Sequence, residues 1–385
     1  MRLVLVGAAY PLRGGIAQYT ALLARALGSR GHDVLVLSFR RQYPSFLFPG
    51  KTQKDEGKEM TPVRAVPLLD SINPASWIRA FFWLKSVRPD KVVFKYWMPF
   101  FAPCYASLAF LAKTCLRVPV VFLCDNIRPH EAKPGDGLLT RLALRFPDAF
   151  IVQSGAVRKE LADVRPDAPV AEVPHPLYGI FPPPVSKSRA RRMLGIREAR
   201  VILFFGYIRA YKGLRILLEA MPLILKRLTV RLLVCGEFYE GREDALERIR
   251  SLGLGPRVTV VDGFIPNEDV VRYFCACDLV VLPYLSATQS GIVQVAYRYD
   301  RPVVATRVGG LPEAVGHGKT GYVVPPGDPG ALADAVVRFY AGRKEKAFVR
   351  NVRRAKKNYS WDRMAHAVEI LDGRRSPPFS NEDSP

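Results

Sequence analysis

The chain alternates between short runs of Val, Ile and Leu and longer segments whose apolar residues recur every three or four positions. Unbroken aliphatic runs are typical of parallel strands buried on both faces, and the longer spacing predicts helices. The predicted strands of the first half are Arg2–Val6, Asp33–Ser38, Lys91–Tyr96, Val118–Cys124 and Ala149–Gln153. Those of the second half are Val201–Phe205, Arg231–Cys235, Val258–Val261, Asp278–Pro283, Pro302–Ala305 and Gly321–Val324. Helices are predicted over Ala17–Arg30 and from Gly213 onward.

A proline-rich stretch, VPHPLYGIFPPPVSKS at 173–188, interrupts this alternation. Proline lacks a backbone N–H and fixes φ, so the stretch disfavours a helix or a central strand. The sequence therefore predicts an α/β protein of two doubly wound domains, residues 1–180 and 181–360. A final helix at about 361–373 is expected to return to the first domain, and residues 374–385 are expected to be disordered. Because ligands of such sheets bind at the carboxyl ends of the strands, a cleft between the domains is the expected site.

The chain is strongly basic, with 57 Lys and Arg against 35 Asp and Glu and a net charge of +22. This excess is present in both halves and suggests an anionic partner: a membrane surface, a phosphate-bearing ligand or a nucleic acid. No nucleic-acid-binding motif is present, so no nucleic-acid partner is expected. Aromatic and basic residues stand together in SWIRAFFWLKSVRP at 76–89, as in helices that lie on anionic membranes. The alternative is that these aromatics pack beneath the first sheet.

The six cysteines lie in apolar surroundings at positions 104, 115, 124, 235, 275 and 277, without a C-x-x-C pair. They are expected to be buried thiols of a cytoplasmic protein, and neither a disulfide nor a metal site is expected. The uncharged stretch YWMPFFAPCYASLAFLA at 96–112 is shorter than the roughly 20 residues of a spanning helix. It is interpreted as a buried helix, with an element at the membrane interface as the alternative.

Several strand-to-helix turns could hold a diphosphate. Gly14-Gly15 separates the first strand from its helix, and glycine lets backbone approach an anion at a helix N-terminus. In FFGYIRAYKG at 204–213, Arg209 and Lys212 lie between a strand that ends at Gly206 and the next helix. By contrast, GHGKTG at 316–321 precedes a strand, so its likeness to a dinucleotide or P-loop motif is dismissed as a tight turn.

Two further turns follow neighbouring strands of the second half. The candidate donor-binding residues there are Thr288, Gln289, Ser290, Gly291 and Ile292 in one turn and Gly309, Gly310 and Glu313 in the next. Three glycine-bearing turns at the carboxyl ends of one sheet predict a nucleotide diphosphate held by backbone amides together with Arg209 and Lys212. No carboxylate, histidine or lysine occurs from Ala287 to Ala296, so no acid–base group is available in that segment.

These motifs resemble glycosyltransferase family 4, whose GT-B fold has two facing Rossmann-like domains with a cleft between them. The resemblance covers nearly the whole chain and rests on Gly14-Gly15, GYIRAYKG at 206–213, RPVVATRVGGLPEAVGHGKTGYVVPPGD at 301–328 and YSWDRMA at 359–365. It implies metal-independent transfer of a sugar from a nucleotide-sugar with retention at the anomeric carbon. Lys212 matches the family's phosphate-binding lysine, and no D-x-D motif or cofactor is expected.

The sequence departs from the family pattern at several positions. Tyr207 stands where an arginine is usual, which leaves Arg209 as its candidate substitute, and Ala287 and Val295 stand where two glutamates are usual. The turn SATQSG at 286–291 resembles a bacterial branch of the family. Asp125 takes the place of a histidine near the reacting sugar, and His130 follows five residues later. Asp125 and His130 join Arg209 and Lys212 as candidate catalytic residues.

The leading hypothesis is a retaining glycosyltransferase of cell-envelope or exopolysaccharide assembly. It would use a nucleotide-diphosphate sugar and a glycan or lipid-linked acceptor, in the cytoplasm, at the inner face of the membrane. The missing glutamates leave open a nucleotide-sugar-binding or scaffolding protein that has lost catalysis. A second alternative is a GT-B nucleotide-sugar 2-epimerase of the same overall fold, although the placement of the motifs favours transfer.

Overall fold

The computed structural model describes residues 1–45, 48, 52–55, 61–129, 131 and 133–373. It divides into two compact units, Met1–Pro176 with Ser360 onward, and Leu177–Tyr359. We call them unit 1 and unit 2. The first boundary lies within the proline-rich stretch, and the last described helix belongs to unit 1. The predicted disordered tail at 374–385 lies outside the described residues, and the predicted interdomain cleft stays a prediction.

Unit 1 is a parallel sheet of seven strands with order β3-β2-β1-β4-β5-β6-β7. Its strands are β1 (Arg2–Val6), β2 (Asp33–Arg41), β3 (Ala65–Asp70), β4 (Lys91–Tyr96), β5 (Val120–Cys124), β6 (Ala149–Val152) and β7 (Val170–Glu172). Its helices are α1 (Gly15–Ser29), α2 (Pro74–Val87), α3 (Ala102–Leu111), α4 (Asp136–Ala143), α5 (Gly155–Ala162) and, from the end of the chain, α14 (Trp361–Ile370).

Unit 2 is a parallel sheet of six strands with order β10-β9-β8-β11-β12-β13. Its strands are β8 (Val201–Phe205), β9 (Arg231–Gly236), β10 (Val258–Asp262), β11 (Leu279–Leu282), β12 (Val303–Thr306) and β13 (Gly321–Val324). Its helices are α6 (Lys187–Met193), α7 (Leu214–Leu225), α8 (Arg242–Ser251), α9 (Val270–Ala276), α10 (Gly291–Arg298), α11 (Leu311–Ala314), α12 (Pro329–Ala341) and α13 (Glu345–Ala355).

The aliphatic runs form these strands because both faces of each sheet are covered. In β1, Val4 and Val6 face one apolar core, while Leu3 and Leu5 face a second core shared with α1 and α14. Neighbouring strands run in register, with Leu3 beside Val34. The strand order reverses direction next to β1 in unit 1 and next to β8 in unit 2. At each such switch point the connections that follow two adjacent strands run to opposite faces of the sheet. A crevice therefore opens between them at the carboxyl edge.

The two strands absent from the prediction, β3 and β7, are the edge strands of the first sheet. Pro67 lies inside β3, and proline is tolerated in a strand at an edge, where its missing N–H breaks no ladder. β7 has only three residues. Both therefore lack the long aliphatic run that marks a central strand.

All six cysteines are free thiols, but the expectation that all are buried is wrong for Cys115. Cys115 is exposed because it lies in the last turn that extends α3, beyond the part of the helix that is packed. Among the described residues, one helical stretch, Pro99–Leu116, is apolar and long enough to cross a membrane by length and composition. Half of it is buried within unit 1, as in a core helix.

A buried carboxylate, Asp278, holds the amino edge of the second sheet. It is 2% exposed and lies directly before β11. Lys187 Nζ donates to it at 2.6 Å, Arg191 Nη2 at 2.9 Å and the Val201 N–H at 2.8 Å. These contacts tie α6 and β8 to β11.

We expect Asp278→Ala to destabilise unit 2, because it would remove the buried acceptor that Lys187, Arg191 and the Val201 N–H share. Breaking a buried pair costs about 3–5 kcal/mol, and urea unfolding would measure the loss. Asp334→Ala is the matched control. Asp334 pairs with Arg227 at the surface, where such pairs contribute about 0–1 kcal/mol. Equal losses in the two variants would contradict this account.

Candidate active site

The carboxyl ends of β8, β11 and β12 are adjacent in the second sheet, and the turns after them carry the predicted donor-binding residues. The turns are joined by backbone contacts: the Leu285 N–H donates to the Tyr211 carbonyl at 2.7 Å, and the Gly310 N–H to the Thr288 carbonyl at 2.8 Å. Gly309 has φ +48°, and a Cβ there would overlap the Ala287 carbonyl. Glycine at 309 therefore permits the turns after β11 and β12 to meet.

Lys212 lies at the switch point between β8 and β11, in a short helical turn that precedes α7. Its Nζ is 5.7 Å from the centre of the Tyr284 ring and 3.3 Å from the position a Cβ would take on Gly206. Ile292 Cδ1 also lies 3.3 Å from that position. The structure therefore brings together residues from the turns after β8 and β11 around one ammonium group.

The electrostatics around Lys212 are unusual for a lysine. Within the described parts of the chain, no carboxylate pairs with its half-buried ammonium. Burial, and then the positive charge of Arg209, lower the pKa of Lys212 to about 8. A cation that is desolvated beside another cation favours an anion at that point, since an opposite charge would stabilise the ammonium.

Arg209 lies across the Tyr239 ring, 5.2 Å from its centre. Tyr207, at the position where an arginine is usual in the family, packs against the same ring with the centres 4.8 Å apart. The Ala210 N–H donates to Glu240 Oε1 at 2.7 Å, which fastens the turn between Arg209 and Lys212. The guanidinium is thus held near Lys212 by aromatic packing and a fixed turn.

The N-terminus of α10 carries the SATQSG turn. Ser290 caps the helix, with its Oγ accepting from the Ile292 N–H at 3.3 Å, and Gly291 opens it. Thr288 is buried and Gln289 is half-buried. Ala287 and Val295, which replace the usual glutamates, are both buried, so this helix start presents N–H groups and hydroxyls rather than carboxylates.

The structure places the other candidate residues as follows. Glu313 is exposed in α11, three residues after Gly310. Gly14, with φ +104°, and Gly15 lie at the start of α1 in unit 1, after β1. Asp125 follows β5 at the same edge of the first sheet and forms a buried ion pair with Lys95. His130 lies outside the described residues.

Sequence reasoning missed Lys95 and Tyr284. Tyr284 is buried, its hydroxyl is 3.4 Å from Ser290 Oγ, and burial raises its pKa. Its position directly after Leu282-Pro283, at the end of a predicted strand, could have marked Tyr284 as a site residue. Lys95 is a charged residue at the end of a strand that is otherwise buried, and this pattern is rare without a partner.

Comparison with known proteins adds to this geometry. The family model described as "Glycosyl transferase 4-like domain" matches residues 14–176, and the model described as "Glycosyl transferases group 1" matches residues 199–341. The chain belongs to glycosyltransferase family 4. It is 32% identical over 222 residues to a D-inositol 3-phosphate glycosyltransferase of Corynebacterium diphtheriae, covering 55% of this chain and 52% of the relative. An Acidothermus cellulolyticus protein of the same name is 27% identical over 390 residues, covering 92% and 84%. The chain spans about half the length of the first relatives it matches.

Solved structures show the same fold. Sucrose-phosphate synthase from Thermosynechococcus elongatus has a TM-score of 0.73 at 21% identity, over 96% of this chain and 97% of that one. Anabaena Alr3699/HepE, solved with UDP, has a TM-score of 0.72 at 22% identity, over 96% and 100%. The predicted fold class, α/β with the GT-B arrangement of two parallel-sheet domains, is confirmed. The roles of the individual site residues stay predictions.

The pKa of Lys212 gives a test of its role. Only the ammonium form attracts an anion, so we expect the Kd for a nucleoside diphosphate to rise as pH increases from 7 to 10. The rise should begin near pH 8 and approach about tenfold per pH unit, because a single proton is involved. Titration calorimetry would measure it. Lys212→Arg, which keeps its charge throughout, should bind the nucleotide with a nearly constant Kd, and a constant Kd in the unmodified protein would exclude Lys212 as the phosphate ligand.

Proposed function

We propose that this family member transfers a sugar from a nucleoside-diphosphate sugar to a hydroxyl acceptor, with retention at the anomeric carbon. The observation that carries this proposal is the half-buried ammonium of Lys212, which has no carboxylate partner among the described residues and lies at the switch point of the second sheet. A diphosphate would supply the missing negative charge and is also the leaving group of the reaction. Its negative charge increases as the bond to the anomeric carbon breaks, so fixed cations and N–H groups stabilise the transition state more than the bound substrate.

The site supports departure of the diphosphate without an acid in the turn after β11. Lys212, Arg209 and the N-terminus of α10 provide positive potential, and an ordinary carboxyl group, with a pKa near ~4, would be a poor proton donor to phosphate. The nucleotide-sugar is a substrate, so no cofactor and no metal ion is included in the proposal.

For the substrates, the named relatives provide candidates. HepE of Anabaena was solved with UDP and with UDP-glucose, and the curated relatives are called D-inositol 3-phosphate glycosyltransferases. We therefore place UDP-sugars first among donors and polyol phosphates, such as inositol 3-phosphate, beside glycans and lipid-linked sugars among acceptors. A role in envelope or exopolysaccharide assembly is compatible with the last two classes.

A panel of UDP-, GDP-, ADP- and dTDP-sugars would test the donor by thermal stabilisation. A ligand at a hundred times its Kd adds about 2.7 kcal/mol. With the best donor, we expect Lys212→Met to lower kcat/KM at least about 100-fold, the effect of removing one donor to a transition-state anion. Lys319→Met, at an exposed lysine in the turn before β13, is the matched control.

The outcomes separate the competing functions. Release of free sugar or a glycosylated product supports transfer, whereas conversion of one nucleotide-sugar into its 2-epimer supports the epimerase. Nucleotide binding without turnover supports a binding protein, an alternative motivated by Ala287 and Val295 in place of the usual glutamates. Unchanged turnover in Lys212→Met would remove the assignment of Lys212 to the diphosphate.

We further propose peripheral attachment of unit 1 to an anionic membrane. Four large apolar side chains on and beside α2 and α3 are at least 44% exposed, namely Ile72, Ile78, Phe82 and Phe110. We call them the α2–α3 patch. Residues 71–89 and 99–119 contain five exposed cations, Arg79, Lys85, Arg88, Lys113 and Arg117, and no carboxylate. The rest of the aromatic cluster, including Trp77 and Phe81, packs against the core, as the alternative interpretation expected.

Liposome co-sedimentation tests this attachment. We expect binding to require anionic lipid and to weaken with salt, because each basic residue near the surface contributes about 1 kcal/mol within a Debye length. Phe82→Ser and the pair Arg79→Glu with Lys85→Glu should each reduce binding. Leu252→Ser, at an exposed leucine of unit 2, should not. A protein that ignores anionic liposomes at low salt would overturn the proposal.

A further inference from the structure

A layer of polar residues lies at the carboxyl edge of the first sheet, on the face covered by α1 and α14. The last apolar residues on that face are Leu5, Val93, Leu123, Ile151 and Val173. Side chains alternate along a strand, so the residue two positions later lies on the same face. Those residues are Gly7, Lys95, Asp125, Gln153 and His175. We call them the edge layer.

The edge layer surrounds Tyr19 of α1. Lys95 Nζ lies over the Tyr19 ring, 3.6 Å from its centre, and Gln153 Nε2 donates to the Tyr19 hydroxyl at 2.8 Å. His175 packs edge-on against the same ring at 5.0 Å, and so does Trp361 of α14 at 4.9 Å. The orientation of Lys95 is therefore fixed by a buried aromatic ring.

Lys95 and Asp125 form the charged centre of the layer. Lys95 is paired with Leu123 in the β4–β5 ladder, so Asp125, two residues further on, is its diagonal neighbour. The ammonium donates to Asp125 Oδ1, and the two residues are 5% and 7% exposed. Gly7 makes room for this pair, since a Cβ at that position would lie 3.1 Å from Lys95 Cβ and 3.2 Å from Thr20 Oγ1.

One buried polar group in the layer lacks a partner. Gln153 is 5% exposed, and its Oε1 accepts no hydrogen bond from the described residues. If the amide is turned the other way, its NH₂ group is left without a partner instead. An unpartnered buried amide costs about 1–3 kcal/mol, which a substrate hydroxyl would offset.

The ion pair is difficult to explain by stability alone. Replacing a buried pair with apolar residues is often neutral or stabilising, and apolar residues fill the same face one step earlier on every strand. The pair lies instead where the sheet of unit 1 reverses its strand order, next to β1. This is the position at which open α/β sheets bind ligands.

We propose that Lys95 is a positioning residue of the transfer reaction, which keeps the Asp125 carboxylate ionised and fixed so that it accepts a hydrogen bond from a sugar or acceptor hydroxyl. The proposal rests on the proposed function. Lys95 acts through Asp125 and through the Tyr19 ring, and does not itself contact the substrate. The hydroxyl belongs either to the transferred sugar or to the acceptor, and the experiment below distinguishes the two.

Several titratable groups surround the pair: Cys124 beside Asp125 on β5, Tyr19 on α1 and His175 after β7. Burial raises the pKa of Cys124, and burial with the charge of Lys95 lowers the pKa of His175 to about 3. Burial also raises the pKa of Asp125, while Lys95 opposes that rise. Without Lys95 the carboxyl would hold its proton to a higher pH.

The experiment compares Lys95→Met, Lys95→Arg and the double variant Lys95→Met with Asp125→Asn over pH 5.5 to 9. Lys91→Met is the matched control. Lys91 is a buried lysine at the other end of β4 that donates only to backbone carbonyls of Val368, Glu369 and Leu371. The assays are hydrolysis of UDP-glucose, or of the panel sugar that the unmodified protein turns over, and transfer to inositol 3-phosphate. UDP affinity is measured in parallel.

We expect the kcat of Lys95→Met, relative to that of the unmodified protein at the same pH, to be at least tenfold lower at pH 6.5 and to recover towards pH 9, as Asp125 ionises. Lys95→Arg should keep most of the activity, and the double variant should be slower than the unmodified protein by the same factor at every pH. Lys91→Met should keep the pH profile of the unmodified protein. An effect on hydrolysis assigns the hydroxyl to the donor sugar, and an effect confined to transfer assigns it to the acceptor.

A uniform loss at all pH values in Lys95→Met would show a purely structural role and overturn the proposal. So would a kcat of the double variant, relative to that of the unmodified protein, that still changes with pH, since the change would then come from a group other than Asp125, such as His175. UDP affinity should be the same in all variants. If the unmodified protein turns over no nucleotide-sugar, the proposed function fails with it. If the unmodified protein turns over a nucleotide-sugar and Lys95→Met keeps the normal dependence of kcat on pH, only the inference about Lys95 fails.

Discussion

A parallel strand that is buried on both faces can carry polar groups only at its ends. Both sheets of this protein largely obey that constraint: most strand interiors are apolar, and Lys91, Lys95, Asp125 and Asp278 lie at or beside the ends of strands. The reversal of strand order then marks one place along the carboxyl edge, next to β1 in unit 1 and next to β8 in unit 2. Lys95 lies at the first of these places and Lys212 at the second.

Three largely buried lysines show three ways of treating a desolvated charge. Lys91 is surrounded by backbone carbonyls at the end of α14, and Lys95 is paired with a carboxylate. Lys212 is paired with no carboxylate in the described structure, and its neighbour Arg209 has the same sign. Burial lowers the pKa in all three cases. The first two lysines have their hydrogen-bond acceptors within the folded protein, whereas the third has no carboxylate partner among the described residues, so an anion would stabilise its charged form.

Much of the fold follows from the sequence, because eleven strands are aliphatic runs between helices. The edge strands β3 and β7 could not be predicted from the sequence, because an edge position tolerates a proline or a very short strand. The loop carrying Arg209 and Lys212 could be placed at a strand end from its glycines, but the absence of a carboxylate partner depends on tertiary packing. The pairing of Lys95 with Asp125 required the register between β4 and β5. Its signal was present, since a polar residue follows the apolar face by two positions in several strands.

The last helix has a consequence for the order in which the protein can fold. Met364, Ala365 and Val368 of α14 cover the same face of the first sheet as α1, and Glu369 accepts hydrogen bonds from Nε and Nη2 of Arg30 at 2.6 and 2.8 Å. This helix, which packs on the first strands of the chain, therefore leaves the ribosome after all of unit 2. Until then Leu3, Leu5 and their neighbours lack part of their cover. During synthesis, unit 1 exposes this apolar surface until α14 has been made. Unit 2 has all its elements in one continuous segment, so it can complete its fold before unit 1 does.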